Sequence, residues 1–320
     1  MSDLIAKPFS DRLASLVEGR ESQLVLGLDP DPAALWPQAV EAAGIGSDQT
    51  DVEDPAQLAG LAVAAHCCAA IDAAGQHCVA IKPQVACFER LGAAGWRALT
   101  ATVGHAQDAG LLVIADAKRG DVPVTASAYA QAMIGSTPSP WGDIPGLGAD
   151  AVTVNPLLGA DSLEPFARAA DQVGAGLFVL CRTSNPGAAD LQDLPLASDG
   201  PGQTVSQKVA EMIDQLAASS VGESGLSSVG AVVGATVPEH LVQLRDAMPS
   251  SVLLLPGVGA QGGEIDALAA AFKHHTAGAL VTVSRSLVNA YGETGGDPAL
   301  ACAQKAQQLR DAIWSVASRR

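Results

Sequence analysis

Leu111-Leu112-Val113-Ile114-Ala115 runs directly into Asp116-Ala117-Lys118-Arg119-Gly120-Asp121. The first five residues are apolar on both faces and too few for a helix. That is the pattern of a strand buried in a parallel sheet. The next six residues carry four charges, where such a strand must end. Side chains alternate along an extended chain, so Asp116 and Lys118 point the same way.

Working outward, seven more runs of this kind occupy 23–28, 78–81, 151–154, 177–180, 231–233, 252–255 and 279–283. Helical patterns separate them. Asp54-Pro55 reads as an N-cap with proline at the first helical position, and Gly75 stops that helix. Pro238 and Asp297-Pro298 start later helices in the same way. Eight alternations predict an α/β fold, a single-domain (β/α)8 TIM barrel over residues 1–320 with extended loops. A doubly wound open sheet is the alternative, weakened because no Gly-x-Gly-x-x-Gly follows the first strand. Two connections are long, about 30–54 and 182–230, and a Pro/Gly-rich segment, 135–148, precedes the fourth strand.

The 320 residues hold 18 basic and 34 acidic side chains, a net charge of −16 that would repel a nucleic-acid backbone. At 48% hydrophobic residues the chain is too apolar to be disordered. Six cysteines form no Cys-x-x-Cys pair and sit in apolar patterns, so they read as free buried thiols of a reducing compartment. Met1 to Lys7 lacks the basic start and apolar core of a signal peptide. The apolar stretch 61–74 is interrupted by His66 and Asp72, against a membrane span. A soluble, cytoplasmic protein that binds neither nucleic acid nor membrane is expected.

Barrel active sites lie at the C-terminal ends of the strands. There stand Asp29, Lys82, Asp116 with Lys118, Asn155, Arg182 with Thr183 and Ser184, Thr236, the glycine-rich 256–263, and Ser284 with Arg285. The chain has only six lysines, and two of them are Lys82 and Lys118. Lone strand-end charges would merely solvate the rim. Four on three consecutive strands can converge and hold one another ionised. The glycine-rich turn exposes amides and Arg285 adds a planar guanidinium, at the loops where such barrels grip phosphate. A phosphorylated small molecule with charge-sensitive chemistry at its other end is the expected ligand.

These residues resemble the orotidine 5′-phosphate decarboxylase family. Its central Asp-x-Lys-x-x-Asp is similar to Asp116-Ala117-Lys118-Arg119-Gly120-Asp121, in the form of the longer bacterial subgroup. Further matches are Gly27-Leu28-Asp29-Pro30, Ile81-Lys82-Pro83-Gln84, Val152-Thr153-Val154-Asn155-Pro156, Thr183-Ser184-Asn185-Pro186-Gly187, 256–263 and Ser284-Arg285. The resemblance implies decarboxylation of orotidine 5′-phosphate to UMP and CO2 in de novo pyrimidine synthesis, with no metal and no organic cofactor. Lys118 matches the proton donor and Asp116 the carboxylate that faces the substrate's own. Lys82 and Asp29 match the residues that hold the ribose and complete the charged array. Ser184 matches the hydroxyl at the pyrimidine, and Gln261 and Arg285 the phosphate grip. Asp121 and Thr125 match residues that reach the partner subunit's site, so a homodimer is implied.

Rival readings remain at this point. Metal-assisted sugar-phosphate decarboxylases and aldolases share the motif but resemble an acidic site at strand two, where this chain has Lys82, which would repel a divalent ion. A Schiff-base aldolase would need a neutral lysine, which adjacent carboxylates disfavour. A catalytically silent binding barrel would not need Lys118 with both motif aspartates. No histidine shows metal-ligand spacing. His274-His275 reads as a cap or surface pair, and the four tryptophans as packing residues.

Overall fold

The computed structural model describes residues 7–42, 54–197, 202–235, 238–257 and 265–319. Ten strands occur among them: β1 (Leu24–Leu28), β2 (Ala80–Pro83), β3 (Leu112–Arg119), β4 (Ser136–Thr137), β5 (Ile144–Pro145), β6 (Ala151–Val154), β7 (Gly176–Arg182), β8 (Ser227–Val233), β9 (Ser251–Pro256) and β10 (Ala279–Val283). Eight close into a parallel barrel in the order β1-β10-β9-β8-β7-β6-β3-β2. The remaining two, β4 and β5, form a small antiparallel ribbon within the Pro/Gly-rich segment.

Alternation along the strands sorts the core into two shells. Leu24, Leu26, Ile81, Val113, Ala115, Val152 and Val281 face the surrounding helices. Val25, Ile114, Phe178, Val232, Leu254 and Leu280 fill the barrel interior. Each such side chain contributes roughly 1.5–3 kcal/mol when fully buried. The helix Phe9–Arg20, which the strand–helix pattern did not assign, closes the N-terminal end with Phe9, Leu13 and Val17. Phe9 meets the Phe178 ring edge-on at 5.8 Å. It fits only because Gly176 lies beneath it, where a Cβ would come within 2.6 Å of the Phe9 ring. The open end of the barrel is therefore the C-terminal one.

The helix signals hold. Asp54 accepts from the Ala56 amide at the start of Pro55–Ala74, and Asp297 from Leu300 at the start of Pro298–Ala317. Pro55–Ala74 belongs to a stretch long and apolar enough to cross a membrane, but it buries Val63, Cys67, Ala70 and Ile71 against the barrel. All six cysteines are free.

Three expectations need correction. The stretch 182–230 is not one loop: it contains the helix Val205–Ala217, capped by Thr204 and Gln207, and the start of β8. In 30–54, the helix Pro37–Ala42 occupies part of the described half. Trp141 is no packing residue: it stands 91% exposed between β4 and β5, and Trp96 is 37% exposed, whereas Trp36 is buried. A two-strand ribbon has no second layer to bury an indole at its tip.

Candidate active site

Asp116 is the hub of the barrel mouth. Its Oδ2 accepts from Lys82 Nζ at 2.5 Å and from Gln84 Nε2 at 3.1 Å. Its Oδ1 accepts from Lys118 Nζ at 2.5 Å and from Thr153 Oγ1 at 2.9 Å. Four donors saturate a carboxylate that is almost fully buried. Geometry explains the convergence. Lys82 faces the interior at the end of β2, next to β3, while Thr153 faces it from β6 on the other side.

Burial alone would neutralise these groups. For Lys82, burial is opposed by Asp116 and Asp29, which together hold its pKa above the ordinary lysine value. For Asp116, burial is outweighed by Lys82 and Lys118, which hold its carboxyl well below the usual range. Lys82 and Asp116 are thus both ionised at neutral pH. Lys118 differs from Lys82 in exposure, with 43% of its side chain open against 8%. One ammonium is locked and the other faces the opening.

A second group lies beside it, at the ends of β1 and β10. Asp29 Oδ2 accepts from Ser284 Oγ at 2.7 Å. Gly27 makes room for that hydroxyl, since a Cβ there would come within 2.4 Å of it. Asp29, Ser284, Arg285 and His66 line a cavity of about 180 Å³. A larger cavity of about 450 Å³, lined by Glu164, Arg168 and Asp171, opens near the opposite end and contains none of the expected site residues.

Ser184 follows β7 and packs on Gly234, where a Cβ would sit 2.8 Å from the Ser184 backbone. Arg182 donates twice to Asp193, at 3.2 and 2.8 Å, and so ties the following loop to the barrel. Asp121 does not join the array; its Oδ1 accepts from the Val122 amide at 2.8 Å. Thr125 is exposed on the helix Pro123–Met133, and Pro123 simply occupies that helix's first position. Gln261, Thr236 and 258–260 lie outside the described residues. Two members of the hub, Gln84 and Thr153, lie within the motif stretches, but the sequence alone assigns them no place in the site. The signal for Thr153 was a lone hydroxyl in the apolar run 151–154.

Fold and site together define a (β/α)8-barrel enzyme with a charged centre at its strand C-termini. A model of the orotidine 5′-phosphate decarboxylase / HUMPS family matches residues 22–295, and the chain belongs to that family. It is 50% identical over 228 residues to the orotidine 5′-phosphate decarboxylase of Rhodopirellula baltica, covering 70% of this chain and 72% of that one. It is 40% identical over 308 residues to the enzyme of that name from Roseiflexus castenholzii, covering 95% and 97%. Among solved structures, a candidate orotidine 5′-phosphate decarboxylase from Streptomyces avermitilis superposes with a TM-score of 0.77 at 32% identity, covering 99% of both chains.

Proposed function

We propose that this chain decarboxylates orotidine 5′-phosphate to UMP and CO2 in pyrimidine biosynthesis, without metal or organic cofactor. The observation that carries this is the Lys82–Asp116–Lys118 array, fixed by hydrogen bonds at the barrel mouth. In the reaction the bond from C6 to the carboxylate breaks and its electron pair stays on C6. Lys118 Nζ, the exposed ammonium, stabilises that charge and then gives its proton to C6. Asp116 faces the departing carboxylate and holds Lys118 Nζ in place through their hydrogen bond. Lys82 and Asp29 hold the ribose, Ser184 the pyrimidine, and Gln261 and Arg285 the phosphate. Phosphate binding far from C6 supplies energy for closure and orientation.

The alternative is the metal-assisted sugar-phosphate chemistry that shares the Asp-x-Lys-x-x-Asp motif. Lys82 counts against it: its locked ammonium would repel a divalent ion beside Asp116. Asp121 bonds the Val122 amide and Thr125 is exposed, which suits residues given to a neighbour's site in a homodimer. A cytoplasmic setting agrees with six free cysteines, four of them fully buried. The test is UMP formation by purified protein in the presence of a chelator. Turnover is expected to be unchanged; complete inactivity after that treatment would remove the cofactor-free reading.

A further inference from the structure

We propose that Thr153 is a positioning residue whose single hydroxyl sets both the Asp116 carboxylate and the backbone turn that aims Lys118. This rests on the decarboxylase reading above. The argument starts from the sheet. Between the pairs Ala115–Val152 and Arg119–Val154, β3 advances four residues while β6 advances two. The surplus bulges out, as bulges beside active sites do when they re-aim a side chain. Within it, Lys118 adopts φ 49°, a left-handed conformation that side-chain-bearing residues avoid. The other non-glycine residue at positive φ among those described, Glu21, merely terminates a helix. Lys118 ends no helix, so something else must hold it there.

Thr153 does. The bulge takes the Lys118 amide out of the regular ladder. The amide instead donates to Thr153 Oγ1 at 2.9 Å. The hydroxyl has one proton, and with the amide on its lone pair that proton goes to Asp116 Oδ1 at 2.9 Å. Lys118 Nζ lands on the same Oδ1. One fully buried oxygen therefore fixes the base of the lysine, the carboxylate it pairs with, and the angle between them. Valine would fill the same volume but leave the Lys118 amide unpaired in a strained turn.

The experiment compares wild type, Thr153→Val and Thr153→Ser by steady-state kinetics on orotidine 5′-phosphate, with UMP affinity measured separately. Thr153→Val is expected to lower kcat by roughly 10- to 100-fold, the scale of a small misplacement of a catalytic group, while KM and UMP affinity stay nearly constant. Thr153→Ser is expected to recover most of kcat, because it keeps the oxygen. Wild-type kcat in Thr153→Val, an equal loss in Thr153→Ser, or parallel losses in kcat and affinity would each overturn the proposal. Amide hydrogen exchange in the unmodified protein needs no variant to fold: the Lys118 N–H should be protected, and exchange at the free-peptide rate would overturn it too. A wild-type chain inactive on orotidine 5′-phosphate but protected at Lys118 would instead sink the decarboxylase reading alone.

Discussion

Lys82 Nζ lies 2.5 Å from Asp116 Oδ2, and only 8% of either side chain is exposed. A pair this deep is costly to desolvate, so its value appears when one member is removed. Asp116→Asn leaves the Lys82 ammonium buried without its nearest counter-charge. The expected loss is about 3–5 kcal/mol of stability, read by chemical denaturation. Lys82→Met should cost less, because Asp116 keeps Lys118, Gln84 and Thr153 as donors. The reverse ordering would mean that Lys82, not Asp116, is the hub.

Most of the barrel was legible because its strands are buried on both faces and therefore read as apolar runs. Strands 151–154 and 279–283 match the observed ends. The others ran a few residues long or short, since β3 and β7 continue into charged residues that periodicity cannot assign to a strand. Lys82, Asp116 and Lys118 could be placed from strand-end position alone. The roles of Gln84 and Thr153 could not, because their significance depends on a bulge and a bridge between neighbouring strands. The ribbon and Trp141 were missed because two-residue strands carry no period.

The same charges set a pH window. Asp116 is depressed in the folded chain, so its contribution is present above the unfolded carboxylate pKa of about 3.9 and is lost as pH falls below it. Lys82 is raised, so its contribution is present below about 10.4 and is lost as pH rises through the folded value. Neither changes stability in mild acid, but His66 should. Burial pushes His66 down to about 4, and its Nδ1 accepts from the Trp36 amide at 3.1 Å. As pH falls from about 6.5 toward 4 the unfolded chain takes up a proton that the folded one refuses, so stability drops. The loss should be on the order of 2–3 kcal/mol, with His77 shifted the same way from a more exposed position. Urea titrations at pH 7.5 and 5 should show it, and His66→Gln should flatten it. An unchanged slope in that variant would assign the sensitivity elsewhere.

Arg285 opens the helix Arg285–Val288 at the rim of the cavity that also holds Asp29. If it grips phosphate, its loss removes a charge-assisted contact and nothing else. Arg285→Ala should weaken UMP by roughly 10- to 100-fold, the worth of one or two such bonds, and leave uridine unchanged. Calorimetric titration of both ligands distinguishes this from a general disturbance, which would weaken both alike.

Asp121 sits three residues beyond Lys118, yet its carboxylate is spent on the adjacent Val122 amide and not on the array. In a two-fold dimer that gives Asp121 to its neighbour, each site takes Lys118 from one chain and Asp121 from the other. Lys118→Ala and Asp121→Ala should each abolish nearly all turnover alone. Mixed in equal amounts and allowed to exchange, half the dimers are hybrids, and each hybrid has one site with both residues intact. About a quarter of wild-type activity should return, given two-fold symmetry. Sedimentation would establish the dimer, and differently tagged chains would establish exchange. Proven exchange with no recovered turnover would confine Asp121 to its own subunit and remove the shared site.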